Sequence, residues 1–304
     1  MKRFLTLSLF FIGLSVALAQ VTPFEPQVDW DDPTFPQQQV KKHNIKAIRI
    51  STFELGGRST NGAYQAGVSY HYGQDGNLLR QVETDHSQED TTQVHQYEYS
   101  TRGVLCWQTT EDKRWKRTYR SGYRFTGSGA PYQVKSYELL RNDERMLLKS
   151  RQYIYADDSI LSAIRLLENH RVVRVHRFQY VADFPGLVSR EIIENGDGEL
   201  IKQVTYAYDS LNLIAHVVMT EANGDRSEYR YAYNGQNQPK RIEWWQGENL
   251  IGLVLYEYNE LGLVAHLNQT LYPNTPQQHS RYKVFEYETY PAATAYPTAA
   301  SPLD

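Results

Sequence analysis

The sequence predicts an all-β fold: a curled antiparallel β-hairpin meander of roughly 16–18 strands built from short repeats. Three observations predict it. Pairs of aromatic residues two positions apart recur every 25–30 residues through most of the chain. A turn signal follows each pair within a few residues. A second turn signal lies about half a period further on. A spacing of two is the strand period and not the helical one, so the two rings of a pair share one face of a strand. The residue between them is His71, Glu98, Arg124, Ile154, Gln179, Ala207, Ala232 or Glu257, and most of these are polar. The ring face is therefore the buried one.

The elements follow in chain order. Residues 1–19 read as a secretory signal peptide: Lys2 and Arg3 are followed by an apolar run from Phe4 to Val16 and by the small-x-small Ala17-Leu18-Ala19. That run is shorter than the ~20 residues of a spanning helix. Residues 20–39 form a lead-in rich in Pro and Gln, expected to pack loosely. The stretch from Val40 to Ile50, with Phe53, reads as an entry strand. It opens a single β-repeat domain over residues 40–290. Residues 291–304, mostly Ala, Pro and Thr, read as a flexible tail.

The repeat supplies the structural residues of that domain. Its ring pairs are Tyr70 and Tyr72, Tyr97 and Tyr99, Tyr123 and Phe125, Tyr153 and Tyr155, and Phe178 and Tyr180. Tyr206 and Tyr208, Tyr231 and Tyr233, and Tyr256 and Tyr258 continue the series, with Phe285-Glu286-Tyr287 as a degenerate last copy. Connectors such as Asp209-Ser210-Leu211-Asn212 and Asn259-Glu260-Leu261-Gly262 begin with a residue that bonds its own backbone. They end with one that tolerates the left-handed region, the chemistry of a type I turn closed by a bulge. Asn142-Asp143, Asn195-Gly196-Asp197-Gly198, Asn223-Gly224-Asp225 and Gly247-Glu248-Asn249 supply the second turns. Laid flat, so many strands at ~4.8 Å spacing would be about 80 Å wide, and open sheets of this size curl, coil or close.

Tyr-x-Tyr-Asp/Asn-x-x-Gly-x-Leu recurring in this register resembles the YD-repeat (Rhs-like) proteins, over about residues 64–290. The resemblance implies a long hairpin meander that coils into a shell. Larger members enclose a toxin and carry a self-cleaving region before an effector; neither feature is found here, so the resemblance implies a small extracytoplasmic repeat protein.

Chemistry-bearing patterns are few. The near-neutral balance, net charge −3 with a pI of about 6.3, gives no long-range pull toward nucleic acid. The single cysteine, Cys106, excludes an intrachain disulfide and a Cys-based zinc site. No HExxH, GxSxG or phosphate-cradling motif is present. Gly127-Ser128-Gly129 reads as loop composition, and Cys106 as a structural thiol. His216 and His266 hold equivalent positions two units apart and read as solvated. Asn195-Gly196-Asp197-Gly198-Glu199 is too short for a calcium loop. Glu191 and Glu194 are the kind of carboxylate pair a glycosidase uses, although pairs arise by chance among 35 acidic residues. Trp107, Trp115, Trp244 and Trp245 are placed on strands and are the candidate ligand-binding residues. Trp244 and Trp245 must face opposite ways, and an exposed indole suits stacking on a sugar ring or a peptide.

The leading expectation is a non-enzymatic scaffold acting through protein or glycan contacts in the periplasm, at the cell surface or after secretion. It requires no cofactor, no metal and no transmembrane helix in the mature chain. The alternatives are an outer-membrane β-barrel, favoured by strand number and Tyr content, and a glycan-acting hydrolase.

Overall fold

A computed structural model describes residues 37–55, 63–85, 90–140, 144–156, 160–275 and 278–291. The signal-peptide expectation, most of the lead-in, the Asn142-Asp143 turn and the tail from residue 292 lie outside them. The chain opens with one short helix, α1 (Gln37–Lys42), and continues in 18 strands. These are β1 (Ile45–Leu55), β2 (Ala63–Tyr72), β3 (Leu78–Asp85), β4 (Thr91–Tyr99), β5 (Leu105–Asp112) and β6 (Arg117–Phe125). Next come β7 (Pro131–Leu139), β8 (Arg145–Tyr155), β9 (Leu161–Glu168), β10 (Arg171–Val181), β11 (Phe184–Asn195) and β12 (Leu200–Tyr208). The last are β13 (Ile214–Glu221), β14 (Arg226–Tyr233), β15 (Pro239–Gln246), β16 (Asn249–Tyr258), β17 (Val264–Leu271) and β18 (His279–Thr289).

Each strand pairs antiparallel with the next, and β18 pairs back onto β1, with Ile48 opposite Tyr287 and Ile50 opposite Phe285. The meander therefore does more than curl: it closes into an 18-stranded barrel. Closure removes both free edges, whose unpaired backbone groups would otherwise template association.

The ring pairs explain the register. A bulge falls at the second ring of the pair in β2, β4, β6, β8, β12, β14 and β16, where one extra residue enters the following strand. The connector that leads to it carries its left-handed residue at Gly76, Gly103, Gly129, Asn212, Asn237 or Gly262. Asp209, Asn234 and Asn259 each accept two backbone hydrogen bonds at 2.9–3.0 Å through one side-chain oxygen, which pins these turns. The second ring then ties adjacent strands together. Its hydroxyl donates to a carbonyl on the preceding strand: Tyr99 to Leu78, Tyr155 to Pro131, Tyr180 to Leu161 and Tyr208 to Val188. Tyr233 to Ile214, Tyr258 to Pro239 and Tyr287 to Val264 continue the series, all at 2.6–2.9 Å. Phe125 has no hydroxyl with which to do so. At the seam, Tyr290 reaches across β1 to the Tyr72 carbonyl at 2.7 Å.

The rings point inward. One apolar cluster joins Ile48 and Ile50 of β1 to Tyr70, Leu161, Phe178, Val204, Tyr206, Val217, Val254 and Phe285. A round ring of 18 strands at ~4.8 Å spacing would be about 27 Å across and would leave water against its inner wall. Val204, Val217 and Val254 are instead 1% exposed, so the barrel's own side chains fill it at their level.

The expected entry strand begins later than the sequence placed it. Gln37–Lys42 forms α1, which ends where Asn44 enters the left-handed region with φ 53°. Nor does the end of the lead-in pack loosely. Val40 is buried in the core, and the Gln37 side chain donates to Asn77 Oδ1 at 2.8 Å. A six-residue helix has too little pattern to outvote the strand signal that follows it. It rests on the β2–β3 turn, where a Cβ on Gly76 would stand 3.0 Å from the Gln37 carbonyl.

Candidate functional site

Three of the four candidate tryptophans are packed away. Trp107 faces outward opposite Glu98 and Gly122; a Cβ at Gly122 would lie 2.6 Å from its ring, so only glycine leaves it room. The Arg120 guanidinium covers the indole at 4.4 Å and pairs with Glu98 at 3.1 Å. Trp244 points inward and stacks on Tyr229 with ring centres 6.1 Å apart. Trp245 points the opposite way, outward, but Arg230 lies over it at 4.8 Å and its Nε1 donates to Glu243 at 2.8 Å.

Trp115 differs. It sits on the β5–β6 turn and not on the expected strand, and it is 73% exposed. Lys116 supplies the left-handed residue, φ 52°, and the Asp112 carboxylate accepts from the Trp115 backbone N–H at 3.0 Å. Lys113-Arg114-Trp115-Lys116 has none of the Gly or Asn that marks the other turns, so the sequence carried no turn signal there.

Trp115 borders a cleft of about 290 Å³ at the rim opposite α1. Its walls include Glu83 and Asp85 from β3, Thr92 and Gln93 from β4, Asp112 from β5, and Arg114 beside Trp115. Arg114 pairs with Asp85. Glu83 receives His95 Nε2 at 3.3 Å, while His95 Nδ1 meets Thr110 Oγ1 at 2.9 Å. Thr92 donates to the Glu83 carbonyl at 3.2 Å. The cleft thus offers a flat apolar surface, several carboxylate acceptors and one cationic donor. Among the described residues, no group of three or more His, Cys, Asp or Glu is placed to hold a metal ion.

A second polar group lies inside the barrel. Glu191 of β11 is 1% exposed; His176 Nδ1 meets its Oε1 at 2.7 Å and the Tyr206 hydroxyl donates to its Oε2 at 3.1 Å. Burial, reinforced by the Glu191 charge, drives the Tyr206 phenol far above its ordinary value. The Glu191 and Glu194 pair does not exist as a site. The two residues are three apart on one strand, so Glu194 faces outward, where Arg177 meets it at 2.9 Å. His95 and His176 are interior groups that were not among the sequence candidates. The signal was legible: each precedes the first ring of its pair by two residues and must share its face.

The remaining sequence candidates take structural places. Cys106 is the extra residue of the β5 bulge, with Sγ 3.4 Å from the Val104 carbonyl. His216 and His266 face outward on β13 and β17, each against a glutamate at 3.1 Å. Asn195 spends its side-chain oxygen on the N–H groups of Asp197 and Glu199, as a turn and not as a calcium loop.

No protein-family model matches the chain, and no curated protein matches it. Among solved structures, a porin-like protein from Bacteroides uniformis aligns over 80% of this chain and 98% of its own, at 9% identity and a TM-score of 0.45. A porin-like protein from Bacteroides vulgatus aligns over 82% and 99%, at 15% identity and a TM-score of 0.33. A TcdB2-TccC3 structure aligns over 72% of this chain but 13% of its own, at 11% identity and a TM-score of 0.26. Likenesses this distant carry no argument about function.

Proposed function

We propose that the protein is an extracytoplasmic, closed β-barrel that works in water as a non-enzymatic binding scaffold. One observation carries the reading: the polarity of the wall. The outward face bears Arg120 with Glu98, Arg177 with Glu194, His216 with Glu228, Arg241 with Glu243, and His266 with Glu257. The inward face bears the rings. A barrel spanning lipid has the reverse arrangement, and each Arg or Lys facing the middle of a bilayer costs about 2–4 kcal/mol. The leader-like residues 1–19 support an extracytoplasmic address.

A second reading is favoured by closure. A complete ring of 18 strands is what the outer-membrane barrel alternative requires and an open scaffold lacks. Shape supports that alternative; wall chemistry and the filled interior support the water-facing one. The Tyr-x-Tyr register with its Asp or Asn turns supports placing the repeat with the YD-repeat proteins, as part of the same proposal. Cell fractionation tests the first reading. The expected result is a barrel released by osmotic shock or found in the medium without detergent. Recovery only in detergent-solubilised outer membrane would establish the second reading in its place.

A further inference from the structure

Resting on the binding-scaffold reading, we infer that the cleft beneath Trp115 binds a neutral, hydroxyl-rich ring, that is, a saccharide. The Trp115 indole is the least covered of the four candidate tryptophans: Trp107 and Trp245 lie under arginines and Trp244 is stacked inside. A flat apolar ring held out in water gains free energy when a ligand covers it. Its position is held by its own backbone bond to Asp112 and by the left-handed Lys116.

The polar groups around it specify the occupant. Glu83, Asp85 and Asp112 supply acceptors, and Arg114 supplies donors. Each already has a partner: Arg114 pairs with Asp85, Glu83 meets His95, and Asp112 accepts from the Trp115 N–H. A strongly ionic ligand would have to displace those partners. A hydroxyl does not, because each carboxylate has about four lone-pair sites and a guanidinium has five N–H groups. A pyranose matches both halves of the surface. Its C–H face covers the indole, and its hydroxyl rim donates to the carboxylates and accepts from Arg114. No bond is made or broken; the site holds its ligand.

The test uses the full chain, with tryptophan fluorescence and calorimetry against cellohexaose, maltohexaose and chitohexaose, and hexalysine as the ionic comparison. Saturable binding of at least one neutral oligosaccharide is expected, with a shift in indole emission. Raising the salt to 0.5 M should change that affinity less than about twofold, because no ion pair forms between protein and ligand. Trp115→Ala should weaken it at least about 50-fold, and Asp112→Asn, which keeps the acceptor for the Trp115 N–H, about tenfold. Trp245→Ala, on the outer wall, should leave it unchanged. Circular dichroism and an unaltered unfolding midpoint establish that Trp115→Ala is folded. Binding of none of the three saccharides, salt-sensitive binding of hexalysine alone, or saccharide binding that survives Trp115→Ala each overturns the inference. Fractionation reads the water-facing reading separately, so a soluble barrel that ignores all three sugars refutes this inference alone.

Discussion

In seven strand pairs a single phenolic oxygen does much to hold one strand beside the other. The hydroxyl of the second ring ends on a backbone carbonyl of the preceding strand in β4, β8, β10, β12, β14, β16 and β18. Tyr258→Phe keeps the ring and deletes one bond of 2.6 Å, so it should lower stability by about 1 kcal/mol, read from urea unfolding at an unchanged slope. Glu191 is a sharper case. Glu191→Ala removes the acceptor that His176 Nδ1 and the Tyr206 hydroxyl meet, at a cost of about 1–3 kcal/mol for each buried bond lost. Glu191→Gln retains an acceptor and should cost clearly less. If both variants unfold at the wild-type midpoint, the interior triad contributes nothing to stability.

At the scale of the element, the hairpins were written in the sequence because two independent signals agree in them. The alternation at the rings sets the inward face, and the Asp or Asn six positions before the extra residue of the bulge sets the turn. Asp209→Ala removes the acceptor for Leu211 and Leu213 and should cost about 1–2 kcal/mol. Asp209→Asn should be close to neutral, since Asn234 and Asn259 make the same bonds elsewhere. Differential scanning calorimetry of the pair checks this. What was illegible had only one signal or none. The six residues of α1 carry no period long enough to read, and the Trp115 turn relies on a lysine for its left-handed residue. His95 and His176 were legible as inward residues but not as carboxylate partners, because those partners come from other strands whose register no local pattern reports. Closure belongs to the same class: nothing near β1 or β18 in the sequence says that they pair.

At the scale of the whole molecule, the tyrosines make the barrel alkali-labile. Burial pushes Tyr155, Tyr180 and Tyr233 up to about 12 from an ordinary value of 10.0. Tyr229 and Tyr256 are raised to about 12 in the same way. A phenol whose folded value is raised favours the fold fully below the unfolded value of about 10, and that contribution is lost as the pH climbs to about 12. Absorbance at 295 nm should therefore show most phenols ionising in one cooperative step that coincides with loss of β-sheet dichroism, above pH 10. A broad titration centred near pH 10 with the dichroism intact would refute the claim that the rings are withdrawn from water.

The even number of strands has a directional consequence. A ring that opens and closes its meander at the same edge brings residue 44 and residue 290 into contact, with Tyr290 N–H donating to the Asn44 carbonyl at 2.8 Å. Both ends of the described chain therefore lie at that edge, while Trp115 lies at the other. A partner that grips the barrel by that edge would therefore leave the indole facing away from it, toward whatever lies beyond.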